Sequence, residues 1–211
     1  VEIVLQELNR ALADIRAIRT QIAAGAAFRG YGPTTVALTG MIGLAAALMQ
    51  GHWPQLFAAN ERMFILFWMA TGCVCAAAVY VEMQIRSRRL HASLASTLTS
   101  QALEEFMPAA VASVFVPLFL LRFAPQSLWM MPGLWQLFVS LGIFASIRNL
   151  PRRMSLGAAW FFTSGFVSLL FAAGSTSHVS SPWLMGLPFF FGQVLMAGLL
   201  FSCAETGDEK E

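Results

Sequence analysis

The sequence predicts an all-α integral membrane protein: a six-helix bundle with both termini cytoplasmic and amphipathic helices before the first and third spans. Three observations lead there. Of 211 residues, 57% are hydrophobic and only 11% are Asp, Glu, Lys or Arg, against roughly 25% charged residues in a soluble domain. The few charges fall between apolar runs, each near the roughly 20 residues that a helix needs to cross hydrocarbon. The basic residues gather at alternate boundaries of those runs, which is the signature of a threaded chain.

Residues 1–27 come first, and the first 24 of them are expected to be too polar for the apolar core of a cleavable signal peptide. Val4, Leu8, Ala11, Ile15, Ile18 and Ile22 follow spacings of 4, 3, 4, 3, 4, which places them on one stripe of a helix. Leu8, Ile15, Ile18 and Ile22 are the candidate docking residues of that stripe. Its polar side mixes Glu2, Glu7 and Asp14 with Arg10, Arg16 and Arg19, whereas a helix that only coats an anionic bilayer carries a strongly basic polar face. A protein partner, or a second copy of the chain, fits mixed charge better.

The stretch FRGYGPTT at residues 28–35 then turns the chain into the membrane. A phosphate-binding loop would need a preceding strand and the Lys-Ser/Thr pair of G-x-x-x-x-G-K-[ST], and neither is present. The glycines supply the bend, Pro33 opens a helix, and Arg29 and Tyr31 are candidate headgroup contacts. Arg152 and Arg153 are candidates for the same role.

Charges bound the six spans. No charged residue occurs from Gly30 to Asn60, and residues 33–50 are the first span. Residues 63–81 are the second, between Arg62 and Glu82. A cytoplasmic amphipathic linker over 83–105, with Leu90, Leu94, Leu98 and Ala102 at every fourth position, leads into the third span, 106–121. Pro117 should kink that span, because the carbonyl of residue 113 loses its usual donor. Residues 128–147 are the fourth. The 51 residues from Met154 to Ala204 hold no charge, and the polar GSTSHVSSPW divides them into spans over 156–173 and 184–203. Residues 204–211 form an acidic cytoplasmic tail.

This threading puts Arg10, Arg16, Arg19, Arg29, Arg86, Arg88, Arg89, Arg148, Arg152, Arg153 and Lys210 on one side and Arg62 and Arg122 on the other. The asymmetry points to both ends in the cytoplasm. Trp53, Trp129, Trp135 and Trp183 fall at the opposite ends of the spans, where headgroups favour their rings. Twelve of the 13 basic residues are arginine, a usage common in GC-rich bacterial genomes, so the expected location is a bacterial inner membrane.

Chemistry is harder to find. No G-x-S-x-G or H-E-x-x-H motif is present, and nothing in the charge pattern calls for nucleic acid. Cys73 and Cys75 stand two apart, about 200° around a helix, and cannot share one ion. No catalytic residue, metal ligand or cofactor is assigned. No span carries a charge near its middle, as proton relays usually do. The polar groups left are Gln136, Gln193, Thr39 and Ser164, which could line a solute path or tie helices together. Thr35, Thr39, Gly43 and Ala47 recur every fourth residue, a small-residue face on which another helix can approach closely.

The function expected is therefore that of a non-catalytic accessory, regulatory or assembly protein acting through helix docking. A carrier or channel for a small neutral or apolar solute, lined by Gln136, Gln193, hydroxyls and Phe189–Phe191, is the alternative. A membrane enzyme with an unrecognised motif is the third.

Overall fold

The structure is a computed structural model that describes residues 32–57, 61–89, 93–148, 150, 152–174 and 181–208. Among them every regular element is helical. Six helices are long and apolar enough to cross a membrane, and the protein is a multi-pass membrane protein. We label them α1 (Pro33–His52), α2 (Glu61–Arg89), α3 (Ser93–Phe123), α4 (Met131–Ala145), α5 (Ser155–Gly174) and α6 (Trp183–Asp208). The first docking stripe and the elbow, with Leu8, Ile15, Ile18, Ile22, Arg29 and Tyr31, lie outside the described residues.

Proline and glycine place the boundaries. Gly32 caps α1 with extended backbone and Pro33 occupies its first turn, where a missing N–H costs nothing. The helix ends at Trp53, whose N–H reaches Met49 C=O at 3.1 Å, because Pro54 cannot continue it and instead starts a single turn, Pro54–Phe57. A 3-10 helix, Pro125–Met130, leads into α4, and 3-10 turns at Ser146–Arg148 and Arg152–Met154 join α4 to α5.

Two boundaries differ from the sequence expectation. The segment 83–105 is no separate linker helix: residues 83–89 are the end of α2 and residues 93–105 the beginning of α3. Its polar residues prolong two helices beyond the hydrocarbon length because nothing between residues 93 and 105 breaks a helix. The spanning stretches also run wider than the apolar cores alone, 101–123 and 125–148 for the third and fourth. Polar residues at a span end can remain helical in the headgroup layer.

The bundle has two cores, stacked along the helices. One joins Ala46 and Ala47 of α1, Phe64, Ile65 and Trp68 of α2, Leu128, Met131 and Trp135 around the start of α4, and Met185 of α6. The other joins Val36 of α1, Ile143 of α4, Met154 and Ala158 at the entry to α5, and Met196 and Leu200 of α6. The start of α1 thus shares a layer with the ends of α4 and α6, and the chain crosses up and down in turn.

Helix α4 is central and α3 peripheral. Half of the residues in the α4 spanning window are buried, against 6% for α3. Two seams are tightest, α1 with α6 and α4 with α5, and both are lined by small residues. A Cβ on Gly40 would stand 2.8 Å from Gln193 Cβ and one on Gly43 3.4 Å from Phe189 Cδ1. A Cβ on Gly186 would collide with Ala47. The small-residue face of α1 is thus occupied by α6: Thr39, Gly43 and Ala47 are buried, and Thr35 is half-buried. Between α4 and α5, Gly133 and Gly165 face one another. Without a solvent-driven force between helices in lipid, such close approach is a principal source of cohesion.

Candidate functional site

Several of the polar side chains that tie one helix to another inside the bundle donate to backbone carbonyls. Two prolines explain two of these bonds. Pro117 lies inside α3 and Pro188 inside α6, and a proline deprives the carbonyl four residues earlier of its N–H donor. Those carbonyls belong to Ser113 and Leu184. In hydrocarbon an unsatisfied carbonyl is costly, and a neighbouring helix is the available source of a donor.

Helix α4 supplies both donors from adjacent positions. Trp135 Nε1 donates to Ser113 C=O at 2.9 Å, and Gln136 Nε2 donates to Leu184 C=O at 2.8 Å. Gln136 is fully buried. Its Nε2 also lies 3.1 Å from Ser168 Oγ and 3.0 Å from Pro132 C=O, while Ser168 Oγ donates to the same Leu184 carbonyl at 3.2 Å. The reverse amide orientation would set an oxygen against two carbonyls, so the donor assignment follows from the partners. Gln136 Oε1 is buried and accepts no hydrogen bond among the described residues.

Further ties between helices occur at other levels. Ser140 Oγ donates to Ala158 C=O at 2.8 Å, joining α4 to α5. Ser146 Oγ donates to Ala102 C=O at 2.8 Å, joining the end of α4 to the start of α3. Trp68 Nε1 donates to Gln50 Oε1 at 2.8 Å, joining α2 to α1. At the start of α1 the N–H of Gly32 donates to Glu82 Oε1 at 3.1 Å.

The four polar candidates from the sequence therefore part company. Gln136 is a tie among three helices. Thr39 Oγ1 bonds within its own helix to Val36 C=O at 2.7 Å, and Ser164 Oγ to Phe161 C=O at 3.3 Å. Gln193 is half-buried under Gly40 and makes no side-chain hydrogen bond among the described residues. The Phe189–Phe191 run does not line one surface: Phe189 meets Phe161 in a tilted pair at 5.6 Å inside the bundle, while exposed Phe191 meets Trp160 at 6.4 Å.

Trp135 corrects the headgroup reading. It is 8% exposed and packed among Met131, Trp68 and Leu128, drawn inward by the Ser113 carbonyl to which its indole N–H donates. Trp53 and Trp183, at 50% and 41% exposed, keep the outward position. Cys73 is exposed and Cys75 buried, as opposite sides of a helix require. No cluster of three His, Cys, Asp or Glu side chains forms among the described residues, and His178 lies outside them. Arg153 is exposed, and the side chain of Arg152 lies outside the description. Sequence reasoning passed over Gln50 and Ser146, whose partners, the Trp68 indole and the Ala102 carbonyl, are distant in the chain.

Comparison with known proteins gave no match to a family model, to a curated protein or to a solved structure.

Proposed function

We propose that the chain is a non-catalytic accessory, regulatory or assembly protein of the bacterial inner membrane, with both ends in the cytoplasm. It acts by docking a protein partner or a second copy through residues 1–24. The observation that supports this reading is the use of its buried polar groups: Gln136, Trp135, Ser140 and Ser146 all serve backbone carbonyls of neighbouring helices. A bundle so tied is a rigid platform, and the mixed-charge stripe read from the sequence ahead of α1 has the apolar spacing that recognition of another helix needs.

Ile15→Asp tests it. A charge in the middle of the stripe should dissociate the assembly by size and crosslinking in detergent, while the spans still insert, since insertion follows hydropathy and arginine. An assembly indifferent both to Ile15→Asp and to deletion of residues 1–24 would show that the segment is a membrane-surface element.

Gln193 favours a second reading, a carrier for a small neutral or apolar solute. Unlike Gln136, its amide is not engaged by a neighbouring helix among the described residues, so it is the group available to a solute. Replacing it with Leu should then abolish uptake at unchanged abundance. As a bystander in packing, the same change would cost about 1 kcal/mol or less and leave uptake untouched.

A further inference from the structure

An open cleft of about 470 Å³ lies where α3 begins and α4 ends, lined by Gln101, Glu104, Glu105 and Arg148. Gln101 opens the third spanning stretch and Arg148 closes the fourth, so the cleft sits at the membrane boundary. It holds both signs of charge, yet Arg148 pairs with neither carboxylate among the described residues. Glu105 Oε2 is shut off from solvent without a hydrogen-bond donor. Below the cleft, Ser146 Oγ bonds Ala102 C=O at 2.8 Å and Gly142 C=O at 3.0 Å. The ring of Phe106 lies directly against Gly142. The two walls are held together, so the separation of the charges is built in.

Two carboxylates on one wall, with a guanidinium on the other, form a complement to a dipolar ligand. A primary ammonium offers three N–H donors to the acceptor-rich wall, and a phosphate next to it suits the guanidinium. One negative charge remains in excess, which disfavours a purely anionic headgroup. A quaternary ammonium has no N–H to give. Position at the span ends makes the source a lipid. We propose that this cleft is a binding site for the headgroup of phosphatidylethanolamine, with its ammonium at Glu104 and Glu105 and its phosphate at Arg148.

The test is retention of lipid by the full chain, delipidated in dodecyl maltoside and titrated with dioleoyl lipids under native mass spectrometry. One phosphatidylethanolamine should be held per chain, about tenfold more tightly than phosphatidylcholine or phosphatidylglycerol, the scale of one charge-assisted hydrogen bond. Glu104→Gln with Glu105→Gln should erase the preference, and Arg148→Gln should weaken it. Equal retention of the ethanolamine and choline lipids, or tighter retention of phosphatidylglycerol, would overturn the site. Soluble phosphoethanolamine competing as well as the lipid would overturn its lipid source. The comparison among headgroups needs no substitution, so it decides the matter even where a variant does not fold.

Discussion

Gly133→Ala is expected to destabilise the bundle by about 2 to 3 kcal/mol, the upper range for one inserted methyl in a packed interior. The new Cβ would stand 2.7 Å from the carbonyl oxygen of Gly165 and 2.6 Å from Leu169 Cγ. A flexible side chain can step aside, but the Gly165 carbonyl belongs to a helix backbone, so α4 and α5 must separate. Separation would also stretch the 2.8 Å bond from Ser140 to Ala158. Gly72→Ala is the control, since a Cβ there meets nothing within 4 Å and the change should be neutral or slightly stabilising through helix propensity. Denaturation in mixed detergent micelles reads both. Equal midpoints for the two variants would contradict the close approach of α4 to α5.

The second large effect belongs to Gln136. Replacing it with Leu should cost about 2 kcal/mol, more than the average interhelical polar bond in a membrane, because a buried carbonyl loses its main donor as well as a bond. The structure names the reason for that excess, and the reason can be removed. Pro188→Ala would return an N–H to Leu184 C=O from within α6. In that background Gln136→Leu should cost about 1 kcal/mol less, a coupling of the size double-mutant cycles resolve. Identical costs in both backgrounds would show that the amide does not serve the carbonyl that proline exposes.

The six spans could be read from the sequence because charge marks their limits and hydropathy fills them, a signal local to each segment. The carbonyl of Ser113 could be flagged too, since a proline four residues on is a local fact. What answers it could not. Trp135 falls where an interfacial tryptophan is expected, and only the packing of α4 against α3 turns it inward. Gln136 and Gln193 are each the one glutamine of an apolar helix, so no local pattern separates them. The difference is that Gln136 points to the seam where Leu184 and Ser168 meet, and Gln193 to the side where α1 arrives with a glycine. Over 83–105 polarity changes while helix propensity does not, so the local signal suggests a separate linker where the structure continues two long helices.

The hydrogen bond from Gln136 Nε2 to Pro132 C=O, 3.0 Å away in its own helix, bears on biogenesis. A ribosome delivers α4 before α5 and α6, so the amide meets lipid while Ser168 and Leu184 are still unsynthesised. A partner one turn back on the same helix lets that polar group enter hydrocarbon already satisfied on its donor side. When α6 follows, Leu184 lies at its leading end, next to Trp183, where its bare carbonyl can stay hydrated until it reaches Gln136. Helix α6 thus completes a bond that α4 has carried in provisional form, and the two helices close on the centre of the bundle rather than at its edge.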